Sequence, residues 1–235
     1  MLRIASLDSG APVMCEAPTL FGYPASTYTR MALVAADEKA VDYRFQQVAS
    51  WDGYDKDPKY VGWHPFLKVP VLEHNGVRIT ETIAILMYFE SAFDGPSLVP
   101  SDPVDLARMW EIISTTISYA WPNWVPVLAT NRLFNPMAGD AVDEFLISSQ
   151  LPEMCKAAEV IGAYLDAKPA GFNLADIVVA GALKYATETP EWRQISKASP
   201  ALSDWWERTK VRPSIATHLP DEDWKQRAIE YSHRH

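Results

Sequence analysis

The chain has 235 residues, of which 48% are hydrophobic, enough to bury a substantial core in one compact unit or two small domains. Its formal net charge of −9 at pH 7 argues against a general nucleic-acid or anionic-membrane binder, because such proteins meet phosphate with clustered Lys and Arg. No apolar run approaches the roughly 20 residues that span a bilayer, and residues 1–18 lack the continuous apolar core of a signal peptide. We therefore expect partners that are neither nucleic acid nor membrane.

Cysteine and histidine usage gives no sign of a disulfide framework or a metal centre. Cys15 and Cys155 lie far apart, and the sequence holds no CxxC motif. The histidines show no ligand spacing, and each is predicted to lie on the surface or in a loop. They are His64, His74, His218, His233 and His235. The sequence thus predicts a cytoplasmic protein with no metal and no structural disulfide.

The N-terminal third alternates between strand and helix patterns. Residues 1–18 show neither period and are predicted to be an extension of the fold. A strand over 19–22 is followed by helical spacing of apolar residues over 26–39. A second strand is predicted over 43–48, and a polar, aromatic-rich segment over 49–64 leads to the next element. This part of the chain is therefore predicted to be β-α-β followed by a link.

A β-hairpin leading into a helix is the clearest local pattern. Asn75-Gly76 joins two short apolar runs and accepts the two positive φ values of a type I′ turn. Pro70 removes a ladder donor and must lie at an edge, a strand start or a special turn, so the backbone of Val69 is free to pair with an extended ligand peptide. Glu81 and Thr82 open the next helix, whose first N–H groups can hold a carboxylate.

Helical patterns follow a linker. Residues 95–103 are rich in proline and are predicted to connect the two domains. Everything over 104–235 is predicted to be helical, and the first helix, over 104–120, is expected to end or kink at Pro122 and Pro126. The other predicted helices cover 140–168 with a bend or true start at Pro152, 174–187, 201–211 and 222–232.

The order β-α-β, link, β-β-α is that of the thioredoxin fold, and two motifs carry a further resemblance. LFGYPASTYTRMALVAADEKAVDY and KVPVLEHNGVRITETIAI resemble the first helix and the hairpin of serine-type glutathione transferases, in a phi/theta-like bacterial or fungal class. FNLADIVVAGAL resembles the capping box that opens a buried helix of that family. The resemblance covers about 19–217 and implies an α/β thioredoxin-like N-terminal domain over 19–94, followed by an all-α helical C-terminal domain.

The resemblance also implies which residues form the site. Ser26 would stabilise the glutathione thiolate through its hydroxyl, and Tyr23 is the second candidate for that donor. The residues implied to bind glutathione, the co-substrate, are Lys68, Val69, Pro70, Glu81 and Thr82. The implied electrophile pocket consists of Tyr119, Trp121 and Trp124. The segment over 49–64 has no clear counterpart for the family's contacts to the glycine carboxylate, so that end of the site stays open.

The implied function is a glutathione transferase that attacks a small, apolar electrophile, as in detoxification, and that forms a homodimer. Two alternatives stay open. One is a non-catalytic binding or assembly module of the same fold, and the other is a glutathione-dependent isomerase or lyase. A thiol-disulfide reductase is disfavoured because that chemistry needs a nucleophilic cysteine where this chain has Ser26.

The candidate residues also have purely structural interpretations. Ser26 is among the favoured N-cap residues, and an acid such as Glu81 is common at a helix start. Lys68 is typical of a charged residue that protects an edge strand. Tyr28, on the first helix, is predicted to pack rather than to reach a ligand. The aromatic residues after the linker, Phe134 among them, are predicted to contribute to the core.

Overall fold

In a computed structural model, residues 16–48, 60, 62–168 and 171–219 are described. Four features predicted from the sequence lie wholly or mostly outside these ranges. They are the extension over 1–18, the link over 49–64, the helix over 222–232 and the pair His233 and His235.

A four-stranded mixed sheet forms the centre of the N-terminal part. Its strands are β1 (Thr19–Gly22), β2 (Arg44–Gln47), β3 (Val71–His74) and β4 (Val77–Thr80), in the spatial order β2-β1-β3-β4. β1 is parallel to β2 and antiparallel to β3, which is in turn antiparallel to β4. The thioredoxin-like arrangement predicted from the element order is therefore confirmed.

Two helices complete this part of the fold, and local signals set their positions. Helix α1 (Thr27–Glu38) and helix α2 (Thr82–Ala92) pack against each other. Asn75 and Gly76 join β3 to β4 with φ values of 50° and 75°, the two positive values predicted for this turn. The apolar hairpin and the helix that follows it are confirmed as predicted.

The C-terminal part is helical, again as predicted. Helix α3 (Pro103–Thr115) leads into wider helical turns that end in a short helix α4 (Asn135–Ala138). The remaining helices are α5 (Glu144–Ala167), α6 (Leu174–Leu183), α7 (Trp192–Ala198), α8 (Pro200–Thr209) and α9 (Pro213–His218). Pro152 lies inside α5 rather than at its start, and the short helices α4, α7 and α9 were not predicted.

The prediction that the first helix of the C-terminal part ends near residue 120 is wrong, because the helical path continues. Residues Thr116–Ala120 and Asn123–Phe134 form π-type turns with i→i+5 hydrogen bonding. Pro122 and Pro126 lack the N–H group that a regular α-helix needs. The wider turns accommodate the missing donors without ending the helix, and they change which side chains share a face.

Helix α6 is the buried centre that joins the two parts. All ten of its residues are buried, and it packs against α1. Its start is the predicted capping box: Asn173 Oδ1 accepts from Ala175 N at 2.9 Å, and Asp176 Oδ2 accepts from Asn173 N at 2.9 Å. A Cβ on Gly181 would lie 2.6 Å from Met31 Cγ, so a residue without a side chain lets α6 approach α1 closely. The helix that carries Ser26 is thus held by the core.

The proposed linker is closely packed at Gly95, where we expect a large effect on stability. Gly95 has φ of +129°, and an added Cβ would lie 2.4 Å from the carbonyl oxygen of Lys39. We expect Gly95→Ala to lower the free energy of unfolding by about 3 kcal/mol or more, because it adds a backbone clash to an unfavourable φ. Chemical denaturation measures this change.

Gly171 supplies the matched control. Its φ is +125°, and a Cβ there would meet nothing within 4 Å. Gly171→Ala should therefore cost only the conformational penalty, about 1 kcal/mol. Equal losses in the two variants would show that the contact with Lys39 relaxes without cost.

Candidate active site

A cleft of about 580 Å³ opens between the sheet and the helical part of the chain. Six residues that were expected to bind or activate glutathione line its N-terminal side: Ser26, Lys68, Val69, Pro70, Glu81 and Thr82. Ile117 and Trp121 line the other side, from the helical part. The cleft thus combines a polar wall with an apolar one, an arrangement typical of small-molecule sites.

Ser26 is the N-cap of α1 and also faces the cleft. It has extended φ and ψ of −70° and 124°, and its Oγ accepts a hydrogen bond from Thr29 N at 3.3 Å. Its carbonyl oxygen accepts from Arg30 N at 3.0 Å. The capping interaction uses only the acceptor side of the hydroxyl, so the hydroxyl hydrogen is available to a ligand. The structural and functional interpretations of Ser26 are therefore compatible.

Of the two tyrosines considered near Ser26, Tyr28 and not Tyr23 lines the cleft. Tyr23 is buried in a small apolar cluster with Ala25 and Tyr185. The ring of Tyr28 lies 4.9 Å from that of Trp121, centroid to centroid. Burial and the negative charge of Glu81 raise the pKa of Tyr28 to about 12, so its hydroxyl stays protonated at neutral pH.

The segment before β3 lines the cleft with Lys68, Val69 and Pro70. The ladder of β3 begins at Val71, and Val69 precedes it, joined to Pro70 by a cis peptide bond. The hydroxyl of Tyr60, which is fully buried, donates to the carbonyl oxygen of Lys68. Burial raises the pKa of Tyr60, which therefore remains a donor. This contact fixes the position of the residues that meet the cleft.

Glu81 begins α2 in an unusual conformation. Its φ is +70°, a value that costs a non-glycine residue about 1–2 kcal/mol. Its side chain makes no hydrogen bond that caps the helix, and it is 68% exposed. Thr82, the first residue of α2, is buried on the cleft wall. The interpretation of Glu81 as a simple cap is therefore not supported, since its carboxylate is left for other partners.

His64 is a cleft residue that the sequence did not reveal. It lies in a loop as predicted, but its side chain is buried, only 3% exposed. Its Nδ1 accepts from Phe66 N at 3.1 Å, and its Nε2 lies 3.8 Å from Oε1 of Glu81. Burial lowers the pKa of His64 and Lys68 lowers it further, while Glu81 opposes both. The sequence signal for this role was the position of His64 four residues before Lys68, which was itself expected to bind glutathione.

The prediction for His74 is wrong. This residue ends β3 and is buried, rather than lying on the surface or in a loop. Its Nδ1 is 2.7 Å from the hydroxyl oxygen of Tyr88, and its ring stacks on Phe93 at 5.2 Å. The aromatic neighbours explain how a strand histidine stays buried.

Only one of the three residues expected to form an electrophile pocket lines this cleft. Trp121 does so, and its Nε1 donates to Oγ1 of Thr27 at 3.0 Å. Trp124 is fully buried and donates instead to the carbonyl oxygen of Met154 at 3.3 Å. Tyr119 is 67% exposed and does not line the cleft. The π-type turns place these three side chains on different faces, with Ile117 beside Trp121.

The described part of the chain carries neither a metal-ligand cluster nor a membrane-spanning helix. Within residues 16–48, 60, 62–168 and 171–219, no group of three or more His, Cys, Asp or Glu side chains is arranged to hold a metal ion. In the same ranges, no helix combines the length and apolar character needed to cross a bilayer.

Comparisons with known proteins agree with this geometry. Residues 25–92 match the family described as "Glutathione S-transferase, N-terminal domain". The chain is 29% identical to glutathione S-transferase F6 from Arabidopsis thaliana over 203 residues, which cover 83% of this chain and 95% of that protein. The crystal structure of glutathione transferase F7 from Populus trichocarpa superposes with a TM-score of 0.76 at 23% identity, covering 86% of this chain and 97% of that one.

A further solved structure is that of glutathione S-transferase I from maize in complex with an atrazine glutathione conjugate. It superposes with a TM-score of 0.76 at 22% identity and covers 87% of this chain and 97% of that one. Residues 25–92 thus match a glutathione S-transferase N-terminal domain, and the fold of the chain is that of the solved glutathione transferases. The three relatives named are plant proteins, and the expectation of a bacterial or fungal class stays a prediction.

Proposed function

We propose that the chain is a glutathione S-transferase of the serine type, with Ser26 activating the thiol of glutathione for attack on an apolar electrophile. One observation carries the proposal. Ser26, Val69 and the start of α2 at Glu81 and Thr82 line one cleft, although they are far apart in sequence. These groups match the thiol, the peptide backbone and the charged γ-glutamyl end of the tripeptide.

The residues at the start of α2 bind the γ-glutamyl end of glutathione. The Glu81 carboxylate pairs with the ammonium group, and the strained φ of Glu81 holds that carboxylate away from the helix end. The hydroxyl and N–H of Thr82 donate to the carboxylate, which the positive end of the helix also favours. Val69 pairs with the ligand backbone, and Lys68 offers a cation to a ligand carboxylate.

Ser26 then acts on the sulfur. A free cysteine thiol has a pKa of roughly 8.5, so little of it is thiolate at neutral pH. The Ser26 hydroxyl donates a hydrogen bond to the thiolate, and the N-terminus of α1 adds a favourable field. With an aryl halide, the sulfur forms a bond to the ring carbon and the halide leaves with the bonding electrons. No covalent bond to the enzyme is needed.

The apolar wall suits the second substrate. Ile117 and Trp121 line the same cleft as Ser26, and the Tyr28 ring packs against Trp121. We propose these three residues as the electrophile pocket in this chain. The maize structure with an atrazine conjugate of glutathione supports an apolar electrophile, because the fold there accommodates one.

Calorimetry with glutathione, combined with a conjugation assay on an aromatic halide, tests the proposal. We expect saturable binding and turnover. Binding without turnover of any halide would favour the non-catalytic module or an isomerase or lyase. Absence of binding would contradict the proposed function.

We further propose a cytoplasmic homodimer in which each N-terminal part packs against the partner's helical part. The location rests on the low cysteine content. The association is supported by Phe66, whose ring is 72% exposed on the loop beside the cleft. Burying a phenylalanine side chain contributes about 1.5–3 kcal/mol to the free energy of association, and a two-fold interface contains this residue from both subunits.

Phe66→Ser should therefore weaken the dimer about a hundredfold or more. Sedimentation measured over a range of protein concentrations gives the association constant. Phe45→Ser, on the edge strand β2 of the same domain, is the control and should leave the dimer intact. A dimer that survives Phe66→Ser would show that the subunits meet through another face.

A further inference from the structure

The buried histidine in the cleft is not explained by glutathione recognition alone. His64 is 3% exposed, yet it shares the cleft with Glu81 and Lys68, the two charged residues assigned to the ligand. No backbone role requires an imidazole at this place, because the hydrogen bond from Phe66 N needs only an acceptor. The rest of the ring faces the site.

The hydrogen bonds of His64 set its tautomer. Its Nδ1 accepts from the N–H of Phe66 at 3.1 Å, so the neutral ring carries its hydrogen on Nε2. That nitrogen lies 3.8 Å from Oε1 of Glu81. Neutral His64 is thus close to the carboxylate without an ion pair to it, and Glu81 remains available to a ligand.

The charges around His64 favour its neutral form at neutral pH. Burial lowers the pKa of the ring, and the cation of Lys68 on the same loop acts in the same direction. Glu81, at the start of α2, raises that pKa but does not outweigh burial. Phe66, whose ring centroid lies 6.2 Å away, carries no charge. Protonation of His64 therefore requires a lower pH than protonation of an ordinary histidine.

We propose that His64 is a positioning residue that makes glutathione binding sensitive to acid, a step that rests on the proposed role of Glu81 in holding the γ-glutamyl ammonium. Protonated His64 forms an ion pair with Glu81 and competes with the ammonium for the same carboxylate. Neutral His64 leaves the carboxylate to the ligand. The affinity for glutathione is therefore full above the pKa of His64 and falls as the pH drops through that pKa.

The probe is S-methylglutathione, because its blocked sulfur removes the titration of the thiol from the measurement. We expect its dissociation constant for the wild type to rise at least about threefold between about pH 7.5 and about pH 5. In His64→Asn it should change by less than about twofold. Asparagine suits this position because its side-chain oxygen can accept from the N–H two residues on, as Nδ1 does now.

The control is His218→Asn, the same substitution at a histidine that pairs with Asp37 outside the cleft. It should keep the wild-type dependence on pH. Wild-type dependence in His64→Asn would overturn the proposal. If that variant does not fold, NMR titration of the wild-type His64 ring decides: bound S-methylglutathione should lower its pKa, and an unchanged pKa overturns the proposal. If the wild type does not bind the probe near neutral pH, the proposed function itself fails.

Discussion

Replacing Ser26 with alanine should lower kcat/KM for conjugation by about 10²–10³, the loss typical of removing one donor to a developing or stabilised anion. Glutathione affinity should change little, because the γ-glutamyl contacts at α2 remain. Steady-state kinetics with an aromatic halide measure kcat/KM, and calorimetry measures the affinity for glutathione. The rate of the variant should recover at alkaline pH, where the thiol ionises without help.

The capping role of Ser26 requires a separate control. Alanine also removes the acceptor for Thr29 N, which costs about 1 kcal/mol of helix stability. Ser26→Asp keeps a capping oxygen but has no hydrogen to donate, so it should be as inactive as alanine while α1 stays stable. Tyr28→Phe tests the other hydroxyl on the cleft. If Tyr28→Phe lost activity and Ser26→Ala kept it, the transferase would be of the tyrosine type.

Features that depend on neighbouring residues were predictable from the sequence. The turn at Asn75-Gly76 needs two positive φ values, and few dipeptides accept them. Both hydrogen bonds of the capping box at Asn173 and Asp176 lie within a stretch of four residues. The cap at Ser26 is equally local, because its Oγ accepts from the N–H of Thr29, three residues later. Such signals do not require knowledge of the tertiary fold.

Features that depend on helix pitch or on loop path were not predictable. The resemblance assigned Tyr119, Trp121 and Trp124 to one pocket, yet the turns after α3 place Trp124 in the core and Tyr119 in solvent. His64 reaches the cleft because its loop turns back toward Glu81. Tyr28 enters the site through a tertiary contact with Trp121, a residue far along the chain. Apart from the closeness of His64 to Lys68 along the chain, no local pattern in the sequence encodes these contacts.

Glu81→Gln should weaken glutathione binding by about tenfold. A hydrogen-bonded contact between charged groups is worth about 1.5–3 kcal/mol, and the lower end applies because Glu81 is 68% exposed and water screens the pair. The turnover number at saturating glutathione should stay close to that of the wild type, since the sulfur and Ser26 are not affected. Glu73→Gln, the same substitution on β3 outside the cleft, should bind glutathione normally.

A ligand that lacks the γ-glutamyl amine makes this prediction specific. Removing the amine should weaken binding to the wild type about as much as Glu81→Gln does, and should have little further effect in Glu81→Gln, because the pair is already broken. Equal losses in both proteins would place the ammonium elsewhere. Glu81 would then hold a strained φ for a reason other than ligand recognition, and the competition proposed for His64 would have no target.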